Sequence, residues 1–117
     1  MSKSVADLAD LVLQRLGVLD AEETASDADH QFVEDAYTDL HERLTEEGLV
    51  TWDVGDVIPT GAVSPMTSIL AIEVAQEFGI SSQEMTLLAL RAKSGRLELR
   101  RLGRGYYQPA SVPIEYF

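Results

Sequence analysis

The sequence predicts a mainly α protein: a four-helix, bundle-like body with an extended connector before the third helix and an extended C-terminal tail. Three observations lead there. Apolar residues recur every three or four positions along four segments, glycines and cap-forming residues separate those segments, and the final stretch turns rich in aromatics, glycine and proline. At 117 residues with 45% apolar content, one domain with a modest core is expected. We divide it into a helical body, residues 1–102, and a docking tail, residues 103–117.

Ser4 can cap a first helix whose apolar positions are Val5, Leu8, Leu11, Val12 and Leu16, with Asp7 and Asp10 near its positive end. Gly17 supplies the stop. Residues 18–28 have no apolar period and read as an acidic loop. A second helix is expected from Asp27 or Asp29 to Glu47, because Phe32, Val33, Ala36, Tyr37, Leu40 and Leu44 form one stripe. Gly48 ends it. The other face carries Glu34, Asp35, Asp39, Glu42 and Glu46, answered on this helix by Arg43 alone. Such a helix gains little from side-chain pairing and must be held by burying its stripe.

Leu49 to Val63 contains Gly55, Pro59 and Gly61 among Val and Ile, which suits an extended connector or short strand. Ser64-Pro65 then places a cap residue before Pro at a first helical position. The third helix follows over Met66–Phe78, apolar enough to be the central one. Gly79 closes it, and Ser81-Ser82-Gln83-Glu84 offers a capping box to a fourth. Met85, Leu87, Leu88, Leu90 and Leu97 are its expected packing face. Ser94-Gly95 could stop it, and the alternation Arg96-Leu97-Glu98-Leu99-Arg100 also suits a strand, so the end falls between about 94 and 102. Gly103-Arg104-Gly105 reads as a hinge.

Beyond it, Pro109 and Pro113 forbid a continuous helix, yet Tyr106, Tyr107, Tyr116 and Phe117 are four of the chain's eight aromatics. Each such ring buries about 150–250 Å² when docked. The tail is therefore expected to dock, on its own body or on a partner.

Charge is unevenly placed. Residues 1–56 carry 15 of the 20 acids against Lys3, Arg15 and Arg43, whereas residues 91–104 hold Arg91, Lys93, Arg96, Arg100, Arg101 and Arg104 against Glu98. The first half should repel polyanions, and the last quarter can meet an acidic neighbour. Copies could pair head to tail on that basis.

Signs of chemistry are few. Without Cys there are no disulfides, thiolate metal sites or Cys nucleophiles. His30 and His41 would share a helix face but stand about 16 Å apart, too far for one metal, and are expected at the surface or an interface. Asp35 with Asp39, and Glu42 with Glu46, sit one turn apart without a His ligand or a calcium-loop pattern. Ser64, Ser81 and Ser94 lie in capping contexts, outside any nucleophile elbow. We expect no enzyme, cofactor or metal. No signal peptide opens the chain, and its longest apolar run, Ile69–Ile72, is far short of a membrane span, so a soluble protein made in the cytoplasm is expected. The alternative function is a small winged-helix-like nucleic-acid-binding regulator, built on residues 44–50, a helix pair and the basic run. A net-acidic chain suits it poorly.

In order, these features resemble the head-to-tail connector adaptors of tailed phages, also called head completion proteins, especially the tail accessory factor of short-tailed phages. The likeness runs from Asp7-Leu8-Ala9-Asp10-Leu11 to Gly17-Val18, through the acidic loop, to Asp35-Ala36-Tyr37-Thr38-Asp39-Leu40. It continues through Ile58-Pro59 to Leu70-Ala71-Ile72-Glu73-Val74-Ala75-Gln76-Glu77-Phe78-Gly79, and covers about residues 5–100. The resemblance implies a virion structural protein that forms a ring of twelve below the portal protein, extends the DNA channel and offers a platform to a tail hub, nozzle or stopper protein. DNA would pass through the channel without sequence-specific binding, and no membrane is involved. It also implies that Ser82–Leu102 and Gly103–Phe117 reach the portal or a neighbouring subunit. The residues expected to dock are Arg100, Arg101, Arg104, Tyr106, Tyr107, Pro109, Ile114, Tyr116 and Phe117. The acidic row Glu34, Asp35, Asp39, Glu42 and Glu46 would face the channel or the next subunit.

Overall fold

Three of the four helices begin where a serine hydroxyl can take a free backbone N–H. Ser4 accepts from the Asp7 N–H at 3.1 Å while the Asp7 carboxylate reaches back to the Ser4 N–H. Ser26 caps in the same way through Asp29, and Ser81 through Glu84, both at 3.2 Å. A computed structural model of the chain describes residues 2–18 and 26–107, with side chains as far as residue 103. It contains α1 (Val5–Arg15), α2 (Asp27–Glu46), α3 (Thr60–Val74) with a following 3-10 turn (Ala75–Phe78), and α4 (Ser82–Tyr107). The body is thus mainly α and four-helical, as its periodicity predicts. Among the described residues the single β-bridge joins Lys3 to Ile58, which ties the N-terminal strand-like residues to the connector.

α3 is the centre. Met66, Ile69, Leu70, Ala71 and Val74 are buried, and α1, α2 and α4 all pack on it. From α1 come Leu8, Val12 and Leu13, and from α2 Val33, Tyr37, Leu40 and Leu44. Gly48 and Gly79, with φ of 79° and 68°, let the chain leave α2 and the 3-10 turn in a left-handed conformation that a side chain would resist. Phe78 packs edge-on against Phe32 at 6.0 Å, which holds the end of the 3-10 turn to α2.

α3 starts at Thr60, more than a turn before the expected Ser64-Pro65 start, with Pro59 in the cap position and Pro65 inside the helix. Pro65 cannot donate to the Gly61 carbonyl, a real cost for the helix. Tertiary burial outweighs it. The extra turn places Ala62 in the core beside Leu99 and Leu102 of α4.

α4 differs most from expectation. Neither Ser94-Gly95 nor the alternation at 96–100 breaks it, and Gly103 to Tyr107 continue the helix where a hinge and an extended tail are expected. Residues 108–117, with Pro109, Ile114, Tyr116 and Phe117, lie outside the described residues. Its packing face is also corrected: Met85, Leu88, Ala92, Gly95, Leu99 and Leu102 face inward, while Leu87, Leu90 and Leu97 are exposed. The small pair decides this. An ideal Cβ on Gly95 would stand 2.9 Å from the Pro65 carbonyl oxygen, so α3 and α4 touch at a distance only glycine permits.

Candidate assembly surfaces

The buried stripe of α2 determines what its other side presents. With Val33, Tyr37, Leu40 and Leu44 inward, the spacing of Asp35, Asp39, Glu42 and Glu46 puts all four in one exposed row on the opposite side. Glu34 leaves that row. It is half-buried and lies 2.8 Å from Nδ1 of His30, whose Nε2–H donates to the Ala6 carbonyl at 3.1 Å, so the pair clips α2 to α1. Arg43 likewise serves another purpose than expected: it pairs with Glu73 of α3 rather than with the acids of its own helix.

His41 is buried, against the expectation of a surface or interface residue. Its Nε2–H donates to the Trp52 carbonyl at 2.7 Å, and its ring packs between those of Tyr37 and Trp52. The Trp52 indole N–H donates to the Tyr37 hydroxyl at 2.9 Å. Burial pushes the Tyr37 phenol above its ordinary pKa, and the Trp52 hydrogen bond opposes that shift. These contacts anchor the connector across α2 and leave Val54 and Val57 exposed. A groove of about 380 Å³ results, lined by Thr38, His41, Glu42, Thr45, Glu46 and Val54. Val54 is its one aliphatic lining residue, beside the methyls of Thr38 and Thr45 and the His41 ring, and Glu42 and Glu46 supply its acids.

On α4 the inward face leaves Leu87, Leu90 and Leu97 47%, 62% and 50% exposed. Arg91, Lys93, Arg100 and Arg101 are exposed on the same helix, and none pairs with a carboxylate of the described residues. Arg96 does, reaching Glu47 at 2.8 Å. At the end of α1, Arg15 donates to the Ser68 hydroxyl at 2.9 Å, and its pKa is lowered by burial and then by the nearby charge of Arg91. Of the residues expected to dock, Arg100 and Arg101 are thus free on the surface, Arg104, Tyr106 and Tyr107 lie on the last turn of α4, and the others fall outside the described residues.

No known protein family, curated protein or solved structure matches this chain. Among the described residues no three His, Asp or Glu side chains converge as metal ligands, and no helix is long and apolar enough to cross a membrane. The cavity between Leu49, Trp52, Ala62 and Leu99 holds about 10 Å³, no more than a water molecule. Among the described residues there is no strand, and the one β-bridge is Lys3–Ile58. What sequence reasoning missed is the leucine face and the groove. The 85, 88, 92, 95, 99, 102 spacing was a signal for the first, because small residues at helical period mark close helix contact.

Proposed function

We propose that this protein is a structural assembly subunit: a head-to-tail connector adaptor of a tailed phage. It forms a ring of twelve under the portal protein, extends the DNA channel, and presents a platform to a tail hub, nozzle or stopper protein in the virion. One observation supports this most. Asp35, Asp39, Glu42 and Glu46 on α2 and Arg91, Lys93, Arg100 and Arg101 on α4, with Glu98 the one acid among the latter, have no oppositely charged partner among the described residues, and the α4 face also exposes three leucines. A subunit that carries both signs on separate faces is suited to heterologous, head-to-tail contact, which closes into rings when the rotation allows. The Asp35 and Asp39 end of the row also suits a channel wall along which DNA slides without adhering. The described residues on which the resemblance to the adaptors rests lie on α1, α2, the connector at Ile58-Pro59, and α3 with its 3-10 turn.

The test is reconstitution. Mixed with portal-bearing heads, the full chain should add a ring below each portal, visible by electron microscopy, while the isolated chain is monomeric or weakly associated. A chain lacking residues 108–117 should keep its helical circular dichroism and lose attachment. Failure of the full chain to bind portals, or a stable dimer that survives high salt, would overturn the reading. So would specific retardation of duplex DNA at about 150 mM salt, where an acidic protein should show none.

A further inference from the structure

We infer that the exposed leucine face of α4 docks into the acidic groove of α2 on a second copy of this chain. The proposal rests on the assembly reading above and names the two surfaces that would meet. Leu87, Leu90 and Leu97 form an apolar ridge at helical spacing, and Arg91, Lys93 and Arg101 lie beside it without a carboxylate partner among the described residues. The groove on α2 is its complement: about 380 Å³ with Val54 on one side and Glu42 and Glu46 on the other. Ridge meets groove and base meets acid.

Other pairings fit worse. Two α4 faces together would oppose three cations to three, and two α2 faces would oppose acid to acid, so like-with-like contact is repulsive. The two faces also cannot meet within one subunit. α4 packs chiefly on α3, and α2 contacts α3 with its buried stripe, so each proposed surface points away from the shared centre. The contact is therefore heterologous, and one chain offers both halves of it.

The experiment uses two double variants of the full chain. Leu90→Asp with Leu97→Asp blocks the α4 face, and Glu42→Lys with Glu46→Lys blocks the α2 groove; all four sites are exposed. Sedimentation at low salt is followed up to about 1 mM protein, where weak contacts of this kind register. The wild type should associate increasingly with concentration and less with salt. Each variant should associate roughly 100-fold more weakly, from the loss of two buried leucines or the reversal of two charge pairs. An equimolar mixture of the two should form dimers and stop there, because one intact α4 face then meets one intact groove. Thermal melts matching the wild type establish that the variants are folded, and a variant that melts early is replaced by Leu90→Ser or Glu42→Gln. A wild type that stays monomeric at about 1 mM overturns this docking yet leaves portal-templated assembly standing. Association that neither variant weakens, or a mixture of folded variants that stays monomeric, overturns the assignment of these faces.

Discussion

Replacing Gly95 by alanine should destabilise the protein, although the substitution favours the helix itself. Alanine in a helix interior is better than glycine by about 1 kcal/mol, because glycine has more backbone freedom to lose. At position 95 the new methyl would lie 2.9 Å from the Pro65 carbonyl oxygen, 3.3 Å from the Pro65 Cα and 3.4 Å from the Ile69 Cγ1. Two of those atoms belong to the backbone of the central helix and cannot swing aside. α4 must move outward, loosening Leu88, Ala92 and Leu99 against α3, and overpacking of this kind costs about 1–3 kcal/mol. We expect a net loss of up to about 2 kcal/mol, or up to roughly 12 °C in melting temperature for a domain of this size. Gly103→Ala is the matched control. It lies on the same helix with nothing within 4 Å of its Cβ position, so it should gain up to about 1 kcal/mol. Circular dichroism melts and urea titrations of both variants decide the matter. If Gly95→Ala is as stabilising as Gly103→Ala, the close approach of α3 and α4 is wrong.

Other perturbations follow from the same contacts. Tyr37→Phe removes the acceptor of the Trp52 indole N–H and should cost about 1–2 kcal/mol in urea denaturation. Because burial raises the folded Tyr37 pKa above the ordinary phenol value, its contribution is fully present below about pH 10 and declines as pH rises through the folded value; the alkaline fall of stability should be shallower in Tyr37→Phe. Ser26→Ala, which deletes the cap on the Asp29 N–H, should cost about 1 kcal/mol, while Ser26→Asp should be nearly neutral. Arg96→Gln should cost no more than about 0.5 kcal/mol in the same assay, since its ion pair with Glu47 is largely exposed and screened. Leu88→Ala and Leu99→Ala should each cost about 2–5 kcal/mol, whereas Leu90→Ala and Leu97→Ala should stay within about 0.5 kcal/mol of the wild type, which separates the inner and outer faces of α4.

Local rules made much of this fold legible. Ser4 and Ser81 cap as read from the sequence, Ser26 caps α2 from within what reads as an acidic loop, and Gly48 and Gly79 end their elements with the positive φ that favours glycine. The α2 stripe and the acidic row behind it also follow from period alone, because a helix with four large apolar residues at one spacing has one way to face the core. Legibility fails where tertiary contact overrides a local signal. Pro65 reads as a helix start, but burying Ala62 against α4 outweighs one missing backbone bond, so α3 begins at Thr60. His41 reads as a surface residue because its partner, the Trp52 carbonyl, lies eleven positions away in a connector with no period of its own.

The face of α4 is the instructive failure, because the helix carries two apolar stripes. Leu87, Leu90 and Leu97 are more hydrophobic than Ala92 and Gly95, and ranking by transfer free energy puts the leucines inside. Packing responds to distance as well as to area. With only a hydrogen at position 95, α4 can settle its axis close to α3, and Met85, Leu88, Leu99 and Leu102 then fill the space on either side of that contact. Turned the other way, Leu90 and Leu97 would hold the helices apart, leaving Ile69 and the Pro65 backbone without close neighbours. The stripe with the smallest residue is therefore the internal one. Three leucines remain outward beside arginines that have no carboxylate partner among the described residues, and these form the surface that the proposed contact with a second copy would cover.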